Sequence, residues 1–275
     1  MSSRPFPWTV AGLVLILGSA GSLRGAPASF DGAASDPRAV AVADRVLEAL
    51  GGRRAWEETR FVRFAFVVRR GGTERGRRLH LWDRWEGRLR YEREDAEGRP
   101  LVVLLDLKSR RGEAFRSGDR LGEDEAGPLL KEAYEAWIND TYWLLMPYKM
   151  KDPGVRLAYA GETAVEGTTY DRVGLSFGEG IGLTPGDRYW AYVSRRTGLV
   201  DRWEYILEGD PPDRPPTAWA WRGWTRRGRI LLSPEKVLLG GRDEVRILHP
   251  VLEVYDTLPD EYFSRPDPLP PTLGP

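Results

Sequence analysis

The sequence predicts a mainly β protein with two or three helices, built on an antiparallel sheet of about eleven strands. The clearest stretch is 182–207, read as a hairpin at the heart of that sheet. Residues 188–193 are aromatic and β-branched, 194–198 form a polar turn closed by Gly198, and 199–207 return as a second strand. Elsewhere, strand-like runs are separated by joins so short that only antiparallel neighbours fit. Helical spacing of apolar residues is confined to two long stretches, one before the first strand and one in the middle of the chain.

Taken in order, the chain opens like an export signal. Arg4 supplies a positive start, residues 10–17 a short apolar core, and Ala26-Pro27-Ala28 a small-x-small cleavage site. An apolar run this short falls well below the roughly 20 residues that span a bilayer. Residues 1–28 are therefore expected to be a cleaved signal peptide and the mature protein periplasmic or secreted; the alternative is an uncleaved anchor in the inner membrane. Asp36-Pro37 then reads as an N-cap with proline at the first helical position. Ala39, Val40, Ala43, Val46, Leu47 and Leu50 follow at helical spacing until Gly51-Gly52, and a helical turn is expected at 54–58.

From Arg60 the period changes to two. Strands are expected at 61–69, 77–85, 88–94, 100–107 and 112–116, joined by glycine-bearing or polar turns into a meander. A second helix interrupts it. Asp124 and Glu125 suit an N-terminus, Pro128 sits just inside, and Leu130, Tyr134, Trp137, Ile138, Thr141 and Leu145 share a face up to Pro147. Residues 142–146 are apolar all round, which suits either a plug in an ordinary core or a segment dipping into an apolar cavity. Strands resume at 155–160, 170–177, the 188–207 hairpin, 217–225, 229–239 and 244–255. In the return strand of the hairpin Trp203, Tyr205 and Leu207 face one way, Arg202 and Glu204 the other. In the outgoing strand Trp190 and Tyr192 alternate with Tyr189, Ala191 and Val193, so it is expected to be covered on both sides. Residues 29–265 form one β domain on this reading, and 266–275 a disordered proline-rich tail.

Composition removes several functions. Lys plus Arg and Asp plus Glu both total 41, so the net charge is zero and no basic field exists to hold nucleic acid. The absence of cysteine removes disulfides, thiol nucleophiles, cysteine-held metals and a lipid-modified cysteine together. The two histidines, His80 and His249, show no metal-ligand spacing, and phosphate-loop, dinucleotide and nucleophile-elbow motifs are absent. Glu179 and Asp187 flank a glycine-rich loop, 180–186, read as a hairpin connection because no helix follows it. No cofactor, no metal and no catalytic residue is expected.

The signal, the helix ahead of the first strand, and the helix-interrupted meander together resemble the LolA/LolB superfamily of periplasmic lipoprotein carriers. The aromatic strand, the turn Ser194-Arg195-Arg196-Thr197-Gly198-Leu199-Val200 and the return strand resemble that family's D-x-x-T-G-L-P hairpin, with serine in place of aspartate and valine in place of proline. The resemblance implies an open, strongly curved antiparallel sheet, an incomplete β-barrel with an apolar concave face and a helical lid. It implies a non-enzymatic carrier or binding protein for lipid, lipoprotein acyl chains or another hydrophobic ligand, handed on to an envelope acceptor protein, and working as a monomer. Trp82, Trp137, Trp143, Leu145, Trp190, Trp203, Trp219 and Trp221 are the candidate ligand-binding residues; the same residues would equally line a filled core. Lys149 and Lys151, in the loop after the apolar helix, are read first as part of a solvated loop and otherwise as candidates to meet an anionic head group at a cavity mouth. The alternative is a glycan-binding or structural envelope domain that uses Trp219, Trp221 and Trp224 as exposed sugar platforms. An enzyme acting on a hydrophobic substrate is a third reading, and it needs a carboxyl of raised pKa inside the cavity.

Overall fold

A computed structural model describes residues 30–177, 186–211, 213–241 and 244–273. The signal segment 1–28, nearly all of the loop 180–186 and the last two residues of the tail lie outside the described residues.

Local sequence accounts for the helices. In α1, Pro37–Ala49, the Asp36 side chain accepts from Arg38 N–H at 2.7 Å, and Ala39, Val42, Ala43, Val46 and Leu50 are buried. Gly51, at φ +123°, lets the chain turn at once into α2, Gly52–Glu58; a Cβ there would stand 2.7 Å from the Arg229 carbonyl oxygen. The middle helix, α3, runs Glu123–Lys149, with Glu123, Asp124 and Glu125 in its first turn and Pro128 and Pro147 inside it. It continues past the proline expected to end it.

The strands are β1 (Phe61–Arg70), β2 (Thr73–Asp83), β3 (Arg88–Glu94), β4 (Pro100–Asp106), β5 (Arg111–Arg116), β6 (Asp119–Arg120), β7 (Val155–Val165), β8 (Thr168–Phe177), β9 (Arg188–Ser194) and β10 (Val200–Ile206). They continue with β11 (Thr217–Arg222), β12 (Thr225–Arg227), β13 (Ile230–Leu232), β14 (Glu235–Leu239), β15 (Val245–Leu248) and β16 (Leu252–Tyr255). Three of the expected strands are each broken in two. Gly223, at φ +68°, ends β11, Pro234 separates β13 from β14, and Pro250 separates β15 from β16, since proline has no N–H for a central ladder.

One antiparallel sheet takes in every strand except the separate β12–β13 pair. Its order is β6-β5-β4-β3-β2-β1-β15-β14-β11-β10-β9-β8-β7, with β16 also paired to β1. The sheet curves but does not close, so the fold is an incomplete antiparallel barrel with three helices. Val62, Phe64, Phe66, Val173, Tyr189, Trp203, Trp219, Trp221 and Ile247 point to the concave side, where α1 and α3 complete one large apolar cluster. The β9–β10 turn docks on α1: Gly198, at φ +74°, leaves no room for a side chain, because a Cβ would lie 2.9 Å from that of Ala49. This explains the glycine of the Thr197-Gly198-Leu199 turn.

The convex side departs from expectation twice. Residues 266–273 are packed, not disordered: Leu269 and Leu273 are buried with Leu258 against Phe61 and Leu81. Two arginines that are 1% exposed lie under this strap. Arg63 donates to the carbonyls of Pro270 at 2.6 Å and Pro271 at 3.0 Å, and Arg90 to those of Arg265 at 2.8 Å and Asp267. A proline-rich segment offers acceptors with few competing donors, which suits a guanidinium that has donors alone. Second, the outer face of β9 is only partly covered among the described residues: Tyr192 is buried beside Tyr170 and Arg202, and Trp190 is half-buried with Arg172 and Arg188 at its borders.

Candidate binding site beneath α3

α3 lies across the concave face and plugs it. Residues 140–148 are all buried, and the packing is aromatic. Trp143 meets Trp219 edge-on at 5.1 Å and Tyr205 at 6.2 Å, Tyr142 meets Trp203 at 6.0 Å, and Tyr189 stacks on Trp203 at 5.0 Å. Tyr148 stacks on Trp56 at 4.5 Å, and its hydroxyl bridges the Leu50 and Leu231 carbonyls at 3.0 and 2.7 Å. A cleft of about 90 Å³ remains where the end of β4 and the start of β7 approach across α3, lined by Leu107, Tyr134, Trp137, Thr141, Lys149 and Val155. Ligand pockets for drug-sized molecules are about 300–1,000 Å³. With α3 in this position the concave face is a filled core.

Polar ties hold the helix on the sheet along its length, beginning with Arg116 to Glu125 at 2.8 Å in the first turn. Asp140, fully buried, accepts from Arg78 Nε at 2.9 Å and Nη2 at 2.7 Å, and from His80 Nε2 at 2.8 Å. About two turns earlier, Glu132 accepts from the Tyr91 hydroxyl at 2.8 Å and from Arg93 Nε and Nη2 at 2.6 and 2.7 Å. The signal for the Asp140 tie was in the sequence, as an aspartate amid the apolar turns of a helix. Its partners are some 60 residues away and have no local mark.

Seven of the eight candidate residues are brought together. Trp143, Leu145, Trp203, Trp219 and Trp221 are in the main cluster, and Trp82 and Trp137 meet at 5.3 Å where α3 crosses β2. Trp190 is the exception; it lies on the convex face. Lys149 and Lys151 are not free, being paired with Asp152 and Asp44, each at 2.6 Å. The expected sugar platforms are not exposed either: Trp219 and Trp221 are 4% and 3% exposed and Trp224 stacks on Trp221 at 5.7 Å, whereas Trp85 is 53% exposed. At α3 the indole N–H groups of Trp82, Trp137 and Trp143 are buried with no acceptor among the described residues, and so are those of the stacked Trp221 and Trp224 elsewhere in the core. A carboxyl of raised pKa does occur, Asp201, through burial beside Tyr170, but it is not at α3.

Three buried bases underlie the same region. His80 stacks on Phe64 at 4.7 Å, His249 meets the edges of Phe64 and Phe66 at 5.8 Å, and Lys236 lies over the Trp221 ring at 4.4 Å, donating to the Ser233 carbonyl. Burial pushes all three below their usual pKa; Asp140 opposes this at His80, Arg78 and desolvation favour it, and Lys236 and His80 push His249 further down. The folded state thus binds fewer protons than the unfolded one. The histidines' contribution to stability is present above the unfolded value of about 6.5 and lost below it, each by up to about 1.4 kcal/mol per pH unit. The Tm is expected to fall between pH 7 and pH 5, and His249→Gln to flatten the fall while leaving the slope that Lys236 imposes at higher pH. Thermal scans across that range measure both.

No family model matches the chain, and neither does any curated protein. Among solved structures it is similar to a DUF1329 family protein from Desulfovibrio piger, with 15% identity and a TM-score of 0.48, covering 83% of this chain and 98% of that one. It is also similar to a LolA superfamily protein from Nitrosomonas europaea, with 10% identity and a TM-score of 0.41, covering 82% and 96%. Neither identity nor score is high enough to carry a function from those proteins to this one.

Proposed function

We propose that the protein is a non-enzymatic carrier that binds an acyl chain, or a lipid or lipoprotein bearing one, between α3 and the concave face of the sheet. The observation that supports this is the set of three indole N–H groups, on Trp82, Trp137 and Trp143, left without acceptors along that interface. Native cores leave few buried donors unpaired, and each costs about 1–3 kcal/mol. Ester or head-group oxygens would supply acceptors, while the chain gains about 0.8 kcal/mol per buried CH₂ from the apolar wall. The form described is then the closed one. A ligand displaces α3 only by binding the displaced arrangement more tightly, and release follows when the helix returns or an envelope acceptor offers a better apolar site. Among the described residues no helix is long and apolar enough to cross a membrane. Export through the signal at 1–28, and action in the periplasm as a monomer, belong to the same proposal.

Native mass spectrometry of the exported protein, followed by organic extraction, tests it. Co-purifying acyl lipid is expected, and Trp143→Asp, checked for folding by circular dichroism, is expected to lose it. A clean mass that also stays unchanged on adding phospholipid and fatty acid would overturn the proposal.

A further inference from the structure

The second site is on the opposite face of the sheet and does not rest on the carrier reading. On the convex side of β7–β10, Ala158 stands opposite Gly174, Gly174 opposite Trp190, and Trp190 opposite Glu204. Ala158 and Gly174 are the smallest side chains available, so this row is a shallow trough. The pyrrole edge of the Trp190 indole lies over Gly174, with Cδ1 and Nε1 3.7 Å from where a Cβ would be. The indole is half-buried, so part of its ring faces solvent.

Arginines border the trough on both sides. Arg172 and Arg202 flank Tyr192 in the row on one side, and Arg156 and Arg188 stand on the other. The guanidinium carbons of Arg172 and Arg188 lie 5.7 and 5.9 Å from the Trp190 ring centre, and that of Arg202 5.2 Å from the ring of Tyr192. Arg202 is committed to Glu204, Nη2 to Oε1 at 2.6 Å. Arg156, Arg172 and Arg188 have no ion pair among the described residues, and Arg172 Nε is buried without an acceptor. A stacked guanidinium still presents its in-plane N–H groups to an oxyanion. Two forks with no carboxylate partner among the described residues, those of Arg172 and Arg188, therefore border one indole ring, with Arg156 further along the same face.

We propose that this trough binds an anionic glycan, with a pyranose ring laid on Trp190 and its carboxylate or sulfate held by Arg172 and Arg188. The chemistry favours a sugar over an acidic peptide. A peptide gains most by adding its backbone to a free strand edge, whereas the trough lies across paired strands whose backbone groups are already used. A ring-sized flat apolar surface flanked by forked donors instead fits a rigid ring with a charged substituent.

Isothermal titration of the full chain with oligomers of galacturonic acid and of a glucuronate-containing glycosaminoglycan tests this, with neutral gluco-oligosaccharides and polyglutamate alongside. Binding of an anionic oligomer and not of the neutral one is expected. Trp190→Ala should weaken it about tenfold, and the exposed pair Arg156→Gln with Arg188→Gln about tenfold with a shallower salt dependence. The Arg pair keeps the test decisive should Trp190→Ala fail to fold. No binding of any anionic oligomer, or affinity unchanged by the Arg pair, would overturn the proposal. Polyglutamate bound as tightly as the oligomer would do so as well, and would assign the face to acidic protein segments.

Discussion

Asp140→Ala is expected to lower stability by about 3 kcal/mol, because it breaks a buried ion pair and leaves its partners behind. Arg78 would lose both of its short bonds, and His80, which is 0% exposed, would lose the acceptor of its Nε2–H. For a chain of this size the drop in Tm would be about 6–12 °C, measured by calorimetry. Asp140→Asn keeps an oxygen for one donor and should fall between wild type and alanine. The position makes the result informative about function, because the carboxylate is the deepest polar tie between α3 and the sheet. If α3 moves to admit a ligand, the asparagine variant should take up added fatty acid faster than wild type. A loss of stability with unchanged uptake would mark Asp140 as a structural tie alone.

Removal of residues 266–275 is the second large effect. A disordered tail would be lost without consequence. The packed strap predicts a loss of about 3 kcal/mol or more, the scale of burying one to two leucines, since Leu269 and Leu273 leave Phe61 and Leu81 uncovered. Both proline carbonyl acceptors of Arg63 and the Asp267 acceptor of Arg90 go with them. Ordering a few residues opposes these gains, so the net is far below their sum. Denaturant melts of the truncated and intact proteins measure the difference. Arg63→Met in the intact chain separates the two contributions, because it removes the donors and keeps the apolar cover.

Most of the fold was legible because it is written in short-range pattern. The Asp36-Pro37 cap, the period-two runs and the glycine-bearing turns each act within a few residues, and they placed α1, the meander and the 188–207 hairpin close to where they stand. The errors at Gly223, Pro234 and Pro250 were also local, and proline's missing donor would have found two of them. The candidate site was legible in part for the same reason: period two puts Trp203 with Tyr205, and helical spacing puts Trp137 with Thr141 and Leu145.

What the sequence by itself determined is therefore an antiparallel sheet with an aromatic face and a helix apolar enough to need burial against it. Only the tertiary structure decided which way Trp190 points, because both faces of its strand are apolar and the row it joins is completed by residues of β8 and β10, Gly174 and Glu204. It also decided that the concave face is filled, that Asp140 meets Arg78 and His80, and that a proline-rich tail returns about 200 residues in sequence to satisfy Arg63. The physical reason is common to all four. Burial and hydrogen-bond satisfaction depend on which distant groups share a space, and no periodicity within one segment carries that information.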